Sequence, residues 1–311
     1  SSGTRPESIS FAGPGKRRDE LRSAISAGIV INVESHRELD TIGELGKKLG
    51  TRPMVAIRVN PDFELKASGM RMGGGPKQFG IDAEQVPDEL ERLPGLGLDF
   101  QGFHIFSGSQ NLRPEAICEA QSLTVELATR LSEAAPGPVK MLNIGGGFGI
   151  PYFPGESYLD LVPIADNLER LKPAIKSAMP EAEVILELGR YLVGEAGIYV
   201  CRIIDRKVSR GETFLIADGG LHHHLAASGN FGQVIRKNYP VVIGNHVRES
   251  ETERASIVGP LCTPLDLLAD KMPLGHGDVG DLAVVLQSGA YGYTASPHLF
   301  LSQPMPVEIC V

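Results

Sequence analysis

Apolar residues in the first two-thirds of the chain come in short runs, and most runs lead into a stretch where they recur at helical spacing. The runs are SISF (8–11), IVINV (29–33), MVAIRV (54–59), FQGFHIF (100–106), MLNI (141–144) and VILEL (184–188). Between them the spacing predicts helices over 18–27, 36–49, 83–93 and 159–179. A further helix opens at Pro114, with Ile117, Ala120, Leu123, Leu127 and Leu131 on one face. Short apolar strands alternating with amphipathic helices predict βαβ units and a parallel sheet. Beyond about residue 200 the rhythm changes. IYVCRIID (198–205), TFLIADGG (213–220), RASIVG (254–259) and LAVVLQSGAYG (282–292) read as strands with little helical periodicity between them. A separate, mostly antiparallel β domain is expected, with domains over 1–199 and 200–311.

Size and charge narrow the function. The chain has 311 residues, of which 42% are hydrophobic, enough for more than one core. The formal net charge is -8 and the basic residues are scattered, which argues against a nucleic-acid surface. No apolar run approaches the roughly 18 residues of a membrane span, and no secretory signal is visible. Cys118, Cys201, Cys262 and Cys310 are far apart in sequence. That spacing suits a reduced, cytoplasmic compartment and offers no CxxC zinc motif, so neither membrane, nucleic acid nor metal is expected.

Parallel units of this kind build either an open doubly wound sheet or a closed (β/α)8 barrel. The string LNIGGGFGIPY (142–152) bears on both. Three consecutive glycines after a strand suit backbone N–H groups that cradle a phosphate, and they equally suit a tight, closely packed turn. If the six visible strands are barrel strands 3 to 8, this loop follows strand 7, a common phosphate position, and LELGR follows strand 8.

Several separated strings, in order along nearly the whole chain, resemble the barrel-type pyridoxal-phosphate-dependent decarboxylases that include ornithine and diaminopimelate decarboxylases, of the alanine-racemase fold type. The resemblance implies a (β/α)8 barrel lacking its first two strands, followed by the β domain, with pyridoxal 5'-phosphate as cofactor. GFHIFSGS (102–109) matches the family's histidine-bearing strand end, so His104 would stack on the pyridine ring and Ser107 would contact the phosphate. A lone buried histidine is as a rule a packed core residue; the surrounding string gives this one a role. Gly145, Gly146 and Gly147 match the phosphate loop.

LELGRYLVGEAG (186–197) is similar to the family's E-P-G-R segment, with Leu188 in place of proline and Gly189 next to it. Glu187 would face the pyridine nitrogen and keep it protonated, and Arg190 would pair with the phosphate. Arg58, in RVNPD (58–62), resembles a strand end whose arginine points into the site, with a structural role as the alternative. Tyr291, in SGAYG (288–292), would reach the phosphate through its hydroxyl. GPLCTPLD (259–266) resembles a loop that in the family crosses a dimer interface into the partner's site, where Cys262 would return a proton to Cα after carbon dioxide leaves. The resemblance thus implies a homodimer with shared active sites.

Two departures refine the picture. Family members that act on ornithine or diaminopimelate carry an acidic residue after the cysteine, facing a distal ammonium; this chain has Thr263. FLSQP (300–304) carries Leu301 and Gln303 where diaminopimelate decarboxylases tend to have Asn and Arg. GPLCTPLD (259–266) and DGGLHHHLAASGN (218–230) resemble more closely bacterial relatives in secondary-metabolite and exopolysaccharide clusters, some of which act on an aminoacyl group tethered to an acyl carrier protein. In RMGGGPKQFG (71–80) the lysine is displaced by one, which puts in doubt a family interface salt bridge to the residue matching Asp266.

The family's anchoring lysine lies in a string like Y-A-x-K-A-N on barrel strand 1, and no lysine here has that context. With six strands visible, the expectation is a chain without its amino-terminal part and inactive alone. Among the weaker strings is DGGLHHHLAASGNFGQ (218–233): on a strand only His222 and His224 would share a face, and a site-lining or interface loop is expected ahead of a metal site. The expected activity is α-decarboxylation of an amino acid, a carbon–carbon lyase reaction. A non-catalytic binding homologue and a standard ornithine or diaminopimelate decarboxylase are the alternatives.

Overall fold

The computed structural model describes residues 3–64, 70, 71, 73–231, 233, 235–248 and 250–311. They fall into two compact units: Ser1–Gly149 with Leu159–Leu188, and Ile150–Tyr158 with Gly189–Val311. The break falls at the end of the ELGR strand, and the segment after the triple glycine joins the second unit.

The first unit is a sector of a (β/α)8 barrel. Strands Ser10–Phe11, Val30–Val33, Met54–Asn60, Asp99–Ile105, Met141–Gly146 and Glu183–Glu187 lie side by side in sequence order, and every pairing between them is parallel. A short strand, Ile81–Asp82, adds to the end of the third. The connecting helices are α1 (Arg18–Ala27), α2 (His36–Leu49), α3 (Val86–Leu96), α4 (Pro114–Ser132) and α5 (Val162–Ala178).

Alternation along the strands sorts residues between two faces. Ile31, Val33, Val55, Ile57, Val59, Phe103, Ile105, Leu142 and Ile144 join one buried cluster with Leu39, Ile42, Leu90, Leu93 and Leu127 of the helices. The residues between them are turned to the inner face and are largely polar: Asn32, Arg58, His104 and Asn143 are each 7% exposed or less.

Helix α3 runs later than its spacing predicted. Pro94 has no N–H to offer, yet it sits in the last turn, and the Gly97 N–H closes the helix on the Leu93 and Pro94 carbonyls.

The second unit is a six-stranded mixed sheet in the order Val241–Ile243, Leu282–Val285, Tyr199–Ser209, Glu212–Ala217, Thr252–Val258, Leu267–Gly275. Four of its neighbouring pairs are antiparallel; Glu212–Ala217 and Thr252–Val258 run parallel. Periodicity did not reveal the Leu267–Gly275 strand, because Asp270 and Lys271 interrupt its apolar pattern and Lys271 adopts a left-handed φ of 46°.

His224, 1% exposed, pins this unit. Its Nδ1 accepts the Ala227 N–H at 3.1 Å, which leaves Nε2–H to donate to Ser288 Oγ at 2.9 Å. Burial pushes its pKa down to about 4. An imidazole whose folded pKa lies below its unfolded value stabilises the fold fully above pH 6.5. That contribution is lost as the pH falls toward 4, and it amounts to roughly 3 kcal/mol. Urea unfolding of His224→Asn should therefore show a shallower loss of stability than wild type across that window, and parallel curves would contradict it.

Candidate active site

In the first unit, strand register builds the site. Arg58 pairs with His104, and His104 with Asn143, so three polar residues form one row across adjacent strands. The strand Met141–Gly146 shifts register after Asn143, so that Gly146, and not Gly145, lies beside Glu187. Glu187 is about a third exposed, with 36% of its side chain open. Its Oε1 accepts from Asn143 Nδ2 at 2.9 Å, and its Oε2 meets His104 Nε2 at 3.3 Å. Burial alone would raise its pKa. The hydrogen bond and charge of His104, the bond from Asn143 and the charge of Arg58 together outweigh burial and hold the carboxyl below its ordinary value. Glu187 is therefore an anion at neutral pH.

Arg58 is 7% exposed and donates from Nη1 to Glu34 Oε1 at 2.9 Å, with its guanidinium 5.0 Å from the Phe79 ring centroid. It lines the inner face, where it forms an ion pair with Glu34. Glu34 also accepts the N–H groups of Gly13 and Gly80.

The glycine loop is shaped by close backbone approach. A Cβ on Gly146 would collide with the Glu187 carbonyl, and one on Gly147 (φ 78°) with the Gly108 carbonyl. The Gly145 N–H is held by Asn143 Oδ1 at 2.9 Å. Ser107 is half-buried in the segment after the His104 strand, and nearby Ser109 has a buried Oγ without a protein partner.

In the second unit, Gly189 opens the short helix Gly189–Val193. Arg190 donates to the Tyr152 hydroxyl at 2.8 Å, and its guanidinium lies 4.5 Å from the Tyr291 ring centroid. Tyr291 is 43% exposed and adopts φ 57°, an uncommon backbone for an aromatic residue and one concentrated at functional positions.

Cys262 is exposed and Thr263 half-buried, and the Thr263 Oγ1 accepts the Leu265 N–H at 3.3 Å. Asp266, 2% exposed, anchors their loop. Its Oδ2 accepts from the Leu261 N–H at 2.8 Å and its Oδ1 from the Leu221 N–H at 2.6 Å. Both carboxylate oxygens are thus engaged inside this unit. The three histidines lie in a loop segment outside any strand. Among the described residues no group of three or more His, Cys, Asp or Glu could hold a metal ion, and no helix is long and apolar enough to cross a membrane.

Residues 1–194 match the family described as pyridoxal-dependent decarboxylase, pyridoxal binding domain. The chain belongs to this decarboxylase family. Among its relatives is the L-glutamyl-[BtrI acyl-carrier protein] decarboxylase of Niallia circulans, 40% identical over 313 residues, spanning 99% of this chain and 73% of the relative. The diaminopimelate decarboxylase of Aquifex aeolicus is 34% identical over 316 residues, spanning 99% and 71%. Among solved structures, the diaminopimelate decarboxylase of M. jannaschii in complex with L-lysine superimposes with a TM-score of 0.85 at 25% identity, covering 96% of this chain and 69% of that one.

The family's cofactor is pyridoxal 5'-phosphate. The first unit offers groups that suit it: bare backbone at Gly145–Gly147, an ionised carboxylate at Glu187, and a buried His104 ring whose Nδ1 has no protein partner. Three residues joined to this machinery were not singled out from the sequence. Asn143 interrupts an apolar strand in the phase of the inner face, which is a readable signal. Glu34 follows the IVINV run and Tyr152 ends the string LNIGGGFGIPY, and neither residue's type or spacing marks it. Asp266 was weighed only as an interface partner.

Replacing Asp266 by Asn sets an amide N–H against one of two backbone N–H groups. Its cost should be on the order of 1–3 kcal/mol in urea unfolding, with faster alkylation of Cys262. An unchanged midpoint and alkylation rate would show that the loop is held otherwise.

Proposed function

We propose that this chain removes the α-carboxylate of an amino acid held on a carrier protein as a thioester. The cofactor, when bound, supplies an electron sink for the pair released as the Cα–carboxylate bond breaks. Glu187 would keep a proton on the pyridine nitrogen, a task suited to a carboxylate that is ionised before the ring arrives. His104 would pack on the ring, and the Gly146 and Gly147 backbone with Ser107 would receive the phosphate, the Gly145 N–H being held by Asn143. In the second unit the paired Arg190 and Tyr291 form an anion-binding arrangement of their own. Cys262 would return a proton to Cα. These assignments follow the family resemblance residue by residue, and Leu188 replaces the family's proline without loss of the strand-to-helix turn that follows it.

The observation that carries the substrate reading is Thr263. Its hydroxyl is engaged in its own loop and it bears no charge, so it gives a distal ammonium no counter-ion where relatives that act on diamino acids are acidic. The similarity to the glutamyl carrier-protein decarboxylase points the same way. We further assign a cytoplasmic homodimer in which Cys262 serves the partner's site. The four free cysteines suit that compartment.

The full-length product of the gene that encodes this chain should decarboxylate a glutamyl carrier thioester faster than free lysine, ornithine or diaminopimelate, and the reverse order refutes the substrate reading. Mixing its Cys262→Ala and Glu187→Gln variants, each inactive alone, should restore turnover through hybrid dimers. If the mixture stays as inactive as its components, the sites are not shared.

A further inference from the structure

Asn143 lies at the centre of the inner-face row and is 2% exposed. Its amide has one usable orientation. Nδ2 donates to Glu187 Oε1 at 2.9 Å, and Oδ1 accepts the Gly145 N–H at 2.9 Å. A flipped amide would set acceptor against acceptor at one end and donor against donor at the other. One side chain therefore joins the carboxylate to the first glycine of the loop, using both ends of a neutral group. Asparagine suits this position and aspartate does not, because a second carboxylate so close to Glu187 would leave one of the two protonated.

We propose that Asn143 is a positioning residue that orients the Glu187 carboxylate and ties it to the Gly145–Gly147 backbone. The inference rests on the reading of Glu187 as the group that faces the cofactor ring, and it extends that reading to the phosphate loop. A change in the seating of either element reaches the other through two hydrogen bonds. The other charged or titratable groups that act on Glu187 are His104, at its second oxygen, and Arg58, which is paired with Glu34.

The test is equilibrium urea unfolding of the chain without cofactor, from about pH 4 to pH 7, for Asn143→Asp, Asn143→Ala and each in a Glu187→Gln background. The introduced acid of Asn143→Asp, when protonated, supplies a donor and an acceptor as the amide does. When ionised it faces Glu187. Its folded pKa is raised, so its stability relative to wild type is retained near pH 4 and falls as the pH rises. The expected loss is at least tenfold in the folded-to-unfolded ratio, equivalent to about one pKa unit. Glu187→Gln should shrink that pH dependence, leaving only the part due to burial of the introduced acid, and Asn143→Ala, which removes a donor to the Glu187 carboxylate, should lose stability at every pH, with a smaller rise toward neutral pH than Asn143→Asp. A pH-independent loss for Asn143→Asp, a loss that persists unchanged with Glu187→Gln, or a variant unfolded at both ends of the range overturns the proposal. Titrating pyridoxal 5'-phosphate into wild type and Glu187→Gln judges the underlying reading separately. Equal affinities would remove that reading, while the unfolding data would still decide whether Asn143 and Glu187 are coupled.

Discussion

A carboxyl group drawn into a protein interior loses hydration and tends to take up a proton. Glu187 resists this because neighbours on adjacent strands reach it with a hydrogen bond from Asn143, the imidazole of His104 and the positive charge of Arg58. The rest of the first unit serves that balance. Parallel strands in sequence order put alternate residues on one face, and the register aligns Arg58, His104 and Asn143 at one level. The register shift near Gly146 then brings the last strand's acid within reach. The apolar alternates go to the helices, where they form a single buried cluster.

The second unit contributes in a different way. Its candidate site residues sit on turns and loops fixed by buried polar pins. His224 holds the segment that begins at Ser288 and leads to Tyr291, and Asp266 holds the loop that carries Cys262. Loops of this kind need side-chain anchors because they have no ladder of backbone bonds to set their course.

Much of this was legible before any coordinates. Periodicity located all six barrel strands, and the bounds of α1 and α2 are those observed, since each has regular apolar spacing and a glycine immediately after it. Strings around His104, Gly145–Gly147, Glu187 and Cys262 carried the family. What escaped detection was of two kinds. The Leu267–Gly275 strand hides behind a charged pair, because its distortion breaks the alternation that periodicity reads. Partners such as Asn143, Glu34 and Asp266 act through hydrogen-bond direction and register, and neither is written in a residue's identity or its spacing from the motif.

The triple glycine has a last implication. Gly146 and Gly147 are glycines because neighbouring carbonyls leave no room for a methyl group, whether or not a phosphate is present. Drift toward a larger residue there would damage folding before it touched chemistry. A descendant that had abandoned catalysis and kept its shape would therefore carry the same three letters, so this string records architecture. The evidence of a working enzyme has to be sought at Glu187 and Cys262.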